Sequence, residues 1–396
     1  MNIQIIQDRC TGCRACIQLC PVHCISMQEN HEGFLFPVVD QEACIDCGIC
    51  LTKCPAYNDH PLRQDPDLAV YAAVHQNPEI LMASSSGGAF AALAQYAFSR
   101  DGVVYGCSLN NQIIPMHIRI DQAKDLPKLH GSKYVQSDTG NTYSSVKKDL
   151  QASKTVLYSG TPCQIAGLKA YLGADDPNLI TVDIICHGVP GSGIFRKHIA
   201  WLSKKKGAEI QQFGFRNKEK LGWGPLIYLV TTTTKTTILP YFYDVYCQKL
   251  FGDSEGLREC CYQCKYANID REGDFTIGDY WGIQKYHPEI PTAWGVSLLI
   301  ANDDKAKAIV NDLHRSLTLY PSRIEWARTN NRLLNKPVER PTERDTVFAE
   351  IEKLGYDCWA EKYYRSGYYI KALIKSKIPR SLKTTIKQII RRNKEG

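Results

Sequence analysis

TVLYSGTPCQIAGLKAYLGADDPNLITVDIICHG, residues 155–188, decides how the larger part of this chain folds. Thr155 to Gly160 is a β-rich run. The pattern then changes: Thr161 is a natural N-cap, Pro162 suits the first helical position, and the residues to Leu172 carry a helix on. Leu179 to Ile185 is a second buried-strand pattern, closed by Cys186, His187 and Gly188. Strand, helix and strand make the βαβ unit of a parallel sheet. A right-handed crossover sets the carboxyl ends of both strands on one edge, where open α/β sheets bind ligands. Cys163 and Cys186 are therefore expected to face one another there, and the helix dipole favours a thiolate at Cys163.

Downstream, Cys261 and Cys264 form a C-x2-C, followed by Arg271 and by a strand-like run ending in Asp279-Tyr280-Trp281-Gly282. Joined to Cys163 and Cys186 they supply four thiolates, enough for an iron–sulfur cube or a zinc; the plainer alternative is buried thiols and a chance pair. Cys260 competes with Cys261, and spacing does not separate them. Cys107, Cys247 and Cys358 have no cysteine neighbours and read as packing residues. Upstream, Ser84-Ser85-Ser86-Gly87-Gly88 precedes an alanine-rich helix from Ala89, an arrangement that offers unpaired N–H groups to an anion or simply caps a helix. His130-Gly131-Ser132-Lys133-Tyr134 is a turn with a cation beside an aromatic ring, suited to a nucleotide but weak alone.

The first sixty residues are different in kind. Cys10, Cys13, Cys16 and Cys20-Pro21 spell C-x2-C-x2-C-x3-C-P, and Cys44, Cys47, Cys50 and Cys54-Pro55 repeat it. In the bacterial dicluster pattern, three cysteines of each run wrap one 4Fe-4S cube and the fourth ligates the other. A zinc ribbon would want two widely separated C-x2-C pairs instead. Cys24, in a short strand expected at Val22–Ile25, reads as a packed thiol. Turn-rich residues near 56–68 mark a boundary.

The 396 residues, 44% hydrophobic and 22% charged, describe an ordinary globular chain of two or three domains. Seventeen cysteines without an apolar leader after Met1, and without a membrane-length apolar run, point to a reducing cytoplasmic setting and metal chemistry. Residues 1–60 carry three basic and seven acidic side chains, whereas the remainder holds 45 basic and 34 acidic. An acidic head on a basic body suggests a head that meets a charged partner and a body that binds anions. Residues 366–396 are basic with apolar side chains three and four apart. They read as a last helix docked on the core, with contact to an anionic membrane as the sharper alternative and no nucleic-acid motif.

Taken together, Ser85-Ser86-Gly87-Gly88, Gly131-Ser132-Lys133-Tyr134, Thr161-Pro162-Cys163-Gln164, Cys186-His187-Gly188-Val189-Pro190, Cys261-Tyr262-Gln263-Cys264 and Ile277-Gly278-Asp279-Tyr280-Trp281-Gly282 resemble the beta subunit of coenzyme F420 hydrogenases and dehydrogenases, in its ferredoxin-fused form. The resemblance implies a ferredoxin-like dicluster domain (1–60), an FAD-contacting region (68–150), an iron–sulfur and catalytic region (151–325) with a parallel or mixed sheet, and a helical basic extension (326–396). It implies FAD near Ser86, Gly87, Gly88, Ser132, Lys133, Tyr134 and Thr161, and a third 4Fe-4S cluster on Cys163, Cys186, Cys261 and Cys264. The activity implied is an oxidoreductase that passes electrons between a ferredoxin-like carrier or partner subunit and a small organic substrate, with His187, Lys133 and Arg216 on the substrate side. Members of the family act on quite different molecules, and some lie in gene neighbourhoods for surface-polysaccharide biosynthesis with no assigned reaction, so the substrate expected is a deazaflavin coenzyme or a biosynthetic intermediate. The alternative class is a non-catalytic electron-transfer subunit.

Overall fold

Each cysteine run closes on itself because two of its residues take left-handed backbone at equivalent places: Gly12 (φ 68°) and Arg14 (φ 64°) in the first, Asp46 (φ 53°) and Gly48 (φ 70°) in the second. These turns start the short helices α1 (Ala15–Leu19) and α2 (Ile49–Thr52) inside the runs. Between the runs, β1 (Ile25–Glu29) and β2 (Leu35–Val39) pair as an antiparallel hairpin. The strand expected at Val22–Ile25 begins only at Ile25, since Pro21 and Val22 form a turn and His23 is left-handed (φ 53°). The computed structural model describes residues 1–58, 67–219, 222–224 and 227–364; the basic tail at 366–396 and most of the linker lie outside the described residues.

The body is a mixed eight-stranded sheet. Its strands are β3 (Ala69–His75), β4 (Val103–Leu109), β5 (Pro115–Ile120), β6 (Val156–Gly160), β7 (Leu179–Ile184), and, after a smaller antiparallel sheet of β8 (Ile210–Gly214), β9 (Ile227–Thr232) and β10 (Thr236–Pro240), β11 (Phe275–Asp279), β12 (Ser297–Ala301) and β13 (Leu317–Ser322). Their order is β13-β3-β12-β11-β7-β6-β4-β5. The central pairs β11–β7, β7–β6 and β6–β4 are parallel, and the flanking pairs are antiparallel. The carboxyl ends of β6, β7 and β11 consequently share one edge of the sheet.

Helices cover both faces. After α3 (Pro78–Ala83), α4 (Ala89–Phe98) lies close on one face because six of its buried residues are alanine or leucine, small enough for near approach. The other face carries α5 (Thr142–Gln151) and α6 (Pro162–Leu172), and α7 (Ser192–Lys206) leads to the smaller sheet. The head docks on α6. Cys13 and Ala15 belong to the same apolar cluster as Tyr143, Ile165 and Leu168. A Cβ at Gly167 would stand 2.9 Å from the Cys13 Cβ, so only glycine lets the cysteine loop reach the helix.

Charge finishes the joint. Arg258 is buried, its Nε donating to the Cys10 carbonyl (2.5 Å) and its Nη atoms to Gln136 Oε1 and the Leu35 carbonyl (3.0 Å each). Glu29 pairs with Arg196 (2.5 Å) and Glu32 with Arg344 (2.7 Å). Part of the head's acidity is thus neutralised by the body of its own chain.

Candidate iron–sulfur and cofactor site

The eight head cysteines sort into two groups that exchange their fourth members. Cys10, Cys13, Cys16 and Cys54 are electrostatic neighbours. Cys50 has Cys47, Cys20 and Cys44 as its neighbours. Burial pushes the Cys13 thiol up to about 12 and raises Cys16 well above its ordinary value, with repulsion from adjacent thiolates adding to both. Such a set is held deprotonated by a positive centre, which is what an iron cluster supplies. The Gly12 amide donates to Cys10 Sγ (3.4 Å). Cys24 sits outside the second group, its Sγ 3.4 Å from that of Cys20. Cys13 is buried against the body, whereas Cys47 is exposed, so one group faces inward and the other outward.

On the sheet edge the strand ends deliver the body cysteines. Cys163 follows β6 in the first turn of α6, where Thr161 and Gln164 form a reciprocal capping box and Thr161 Oγ1 lies 3.1 Å from Cys163 Sγ. Cys186 follows β7, and its Sγ accepts from the Gly188 amide at 3.4 Å. The Cys163 thiol has Cys186, Cys264 and Cys261 as neighbours and is raised well above its usual range by burial. Burial likewise takes Cys186 to about 12 and Cys264 to about 11. Cys261 moves the other way, chiefly because the Cys260 thiol hydrogen-bonds to it. Cys260 also lines the cavity, sharing a hydrogen bond with Cys261. Among the described residues no three His, Cys, Asp or Glu side chains converge as they would on one metal ion. A zinc draws four sulfurs to about 2.3 Å from one point, whereas each thiolate of a cube binds its own corner iron.

A cavity of about 860 Å³ opens on this edge, within the range of cofactor sites. Its wall brings together Ser86, Gly88, Ser132, Lys133, Tyr134 and Thr161 with all four body cysteines, His187 and Arg216. Gly87 stands behind the wall, where a Cβ would meet the Ala73 carbonyl at 2.1 Å. Gly88 starts α4 with left-handed backbone (φ 89°) and no side-chain cap, leaving first-turn amides for an anion. Ser85 Oγ takes the Ser132 amide (2.8 Å) and hydroxyl (3.0 Å), locking the two turns together. Tyr134 is stacked on Phe251 with ring centres 4.1 Å apart.

The three residues read as substrate-side all line the cavity, and each is engaged there by the chain's own groups. Lys133 Nζ donates to the carbonyls of Leu129 (3.0 Å) and His130 (2.8 Å), and burial lowers its pKa. Arg216 pairs with Asp279 (2.8 Å) and also donates to Tyr134 Oη and the Ser85 carbonyl, joining three loops. His187 shares a hydrogen bond with Ser254 Oγ (2.9 Å), and burial brings it down to about 4, so it is neutral at pH 7. Two cavity residues escaped the sequence reading. His117 shares hydrogen bonds with the Ser159 carbonyl and Ser137 Oγ (3.0 Å each), and Tyr266 lines the cavity with both head and body thiols as electrostatic neighbours. No spacing rule marks either.

These features describe an iron–sulfur protein built as a dicluster head on an α/β body. Residues 9–58 match the family model described as 4Fe-4S dicluster domain. Residues 153–325 match the model for the C terminus of the coenzyme F420 hydrogenase/dehydrogenase beta chain. Residues 153–325 are thus similar to that beta-subunit family, and a dicluster domain precedes them in the same chain. Its head is similar to Ferredoxin-1 of Caulobacter vibrioides, 36% identical over 63 residues (15% of this chain, 51% of that one). It is also similar to a ferredoxin of Rickettsia felis, 36% identical over 53 residues (13% and 44%). The chain spans about half the length of these curated relatives. A solved structure of the F420-reducing [NiFe] hydrogenase complex from Methanosarcina barkeri aligns with 71% of this chain and 91% of its own, at 17% identity and a TM-score of 0.46. Among the described residues no helix is long and apolar enough to cross a membrane.

Proposed function

We propose that the chain is an iron–sulfur flavoprotein oxidoreductase, which exchanges electrons with a one-electron carrier at the head and with a small organic two-electron substrate at the cavity. The observation that carries this reading is the shared wall: the body cysteine quartet and the Ser86–Gly88, Ser132–Tyr134 and Thr161 grips line one cavity, one helical turn along α6 from the cysteine loop of the head. Bound there, FAD would supply the conversion between one- and two-electron transfer. The four thiols Cys163, Cys186, Cys261 and Cys264 suit a third 4Fe-4S cluster, and the uncapped start of α4 suits the cofactor's phosphates.

The chain's own residues place and insulate these groups. Arg216 and Asp279 hold the Ser85, Tyr134 and Trp281 loops in one arrangement. Stacked Tyr134 and Phe251 give a flat apolar wall that excludes water. Neutral His187 keeps a ring nitrogen within reach of Ser254 and does not add a positive charge beside the cluster. The cavity's own chemistry leaves the organic substrate open between a deazaflavin coenzyme and a biosynthetic intermediate.

Iron and flavin content of anaerobically purified and reconstituted protein tests the reading. About twelve irons, at four per cube, with one FAD per chain is the expected result. About eight irons without flavin would overturn it in favour of a non-catalytic electron-transfer subunit. Cys163→Ser is expected to remove about four irons and spare the head; unchanged iron would break the assignment of the quartet.

A further inference from the structure

Two buried tyrosines have both head and body thiols as electrostatic neighbours, and only one has a use for its hydroxyl. Tyr143 has Cys13 and Cys163 as electrostatic neighbours and donates its O–H to the Gln164 carbonyl at 2.9 Å. Tyr266, 6% exposed, has Cys163, Glu272, Cys13 and Cys264 as neighbours, and its phenolic oxygen is buried without a hydrogen-bond partner. An orphaned buried hydroxyl costs about 1–3 kcal/mol, so a fold that keeps one usually keeps an acceptor for it. The orphan is also held rigidly. Arg271 Nη1 donates to the Tyr266 carbonyl (2.7 Å) while its Nη2 pairs with buried Asp183 (2.8 Å), and the preceding Lys265 donates to the head carbonyls of Pro55 (2.5 Å) and Asn58 (2.6 Å). The backbone at Tyr266 is therefore fixed at the joint, and the residue shares the cavity wall with Cys163, Cys186, Cys261 and Cys264.

We infer that Tyr266 is a positioning residue of the body centre, its O–H donating a hydrogen bond to a sulfur of the cluster that Cys163, Cys186, Cys261 and Cys264 would hold. This rests on the third cluster proposed above. Hydrogen bonds to cluster sulfurs stabilise the more negative, reduced state and raise the reduction potential. Tyr266 would thereby set the body centre against the adjacent head centre, controlling how far electrons are drawn inward.

The test is an anaerobic redox titration of the full, cluster-loaded chain followed by electron paramagnetic resonance, comparing wild type with Tyr266→Phe. The expected result is a lower potential for the body centre alone, by about a tenfold change in its reduction equilibrium, or roughly 59 mV for one electron. A second form with 3,5-difluorotyrosine at 266 keeps the ring and strengthens the donor, so it should shift the same centre upward; it decides the matter if the phenylalanine variant loses iron. Unchanged potentials in a chain that shows three centres would overturn the inference and leave the proposed function standing, and so would a shift confined to a head centre. A wild-type chain with only two centres would instead overturn the third cluster itself.

Discussion

At the residue scale, the closest approach between head and body rests on an absent methyl group. Gly167 lies inside α6, where alanine is favoured by about 1 kcal/mol on helix propensity alone. A Cβ there would meet Cys13 Cβ at 2.9 Å and both Cys13 Sγ and Tyr143 Oη at 3.0 Å. Steric conflict at a cluster ligand outweighs that propensity gain, so Gly167→Ala is expected to lose the inner head cluster, with iron falling by about four atoms per chain; full iron would show that the loop can give way. His117 makes a prediction in pH. Burial holds it down to about 4 from an ordinary value of 6.5, with the Ser159 carbonyl and Ser137 hydroxyl satisfying the neutral ring. A histidine depressed in the folded state contributes stability above its unfolded pKa and loses it as pH falls from 6.5 towards 4, here by roughly 3 kcal/mol in all. In urea unfolding, His117→Gln should therefore flatten the decline of stability between pH 6.5 and 4. An identical slope in wild type and variant would remove His117 from the account.

At the scale of elements, α6 carries both a ligand and the docking surface, and its first turn holds them in place. Thr161→Val removes one half of the capping box and the hydroxyl 3.1 Å from Cys163 Sγ. The expected cost is about 1 kcal/mol, with a melting temperature roughly 2–4 °C lower and weaker iron retention at the body quartet. An unchanged melting temperature would mean that Gln164 caps the turn alone. This element was readable from the chain because its signals are local: threonine, proline and glutamine at fixed offsets after a β-rich run specify strand, cap and helix without outside help. Both cysteine runs were readable for the same reason. The antiparallel flanks were not, since β3, β12 and β13 meet across more than two hundred residues and their apolar runs name no partner. The site divided likewise. Ligand types followed from spacing, whereas the engaged state of Lys133 and Arg216 depends on carbonyls and carboxylates brought in by distant loops.

At the scale of the whole molecule, the thiol groups form a sequence in space: an outer head group with exposed Cys47, an inner head group on α6, the body quartet, and the cavity. Such an order serves electron transfer only if head and body stay in register. Several charged links cross the joint, Arg14 with Asp138 and Lys265 with the Pro55 and Asn58 carbonyls among them, and they differ in weight. Arg196–Glu29 is half exposed and contributes little, on the general behaviour of surface pairs, while Arg344–Glu32 is more enclosed. Arg258 is 1% exposed and serves the Cys10 carbonyl, Gln136 and the Leu35 carbonyl at once, so its loss takes the donor from one buried and two partly buried acceptors. At about 1–3 kcal/mol for each buried orphan, discounted for relaxation, Arg258→Met should weaken the joint by roughly 3–5 kcal/mol. The change leaves all eight head cysteines in place and removes only the donor to the Cys10 carbonyl, so head iron should largely remain while amide hydrogen exchange rises at Cys10–Cys13 and along α6. Electrons placed on the head by a small reductant should then reach the cavity more slowly, as read by rapid-freeze spectroscopy. If exchange stays at the wild-type level, the joint is held by apolar packing of Cys13 and Ala15 instead, and the arginine serves only to satisfy the carbonyls it covers.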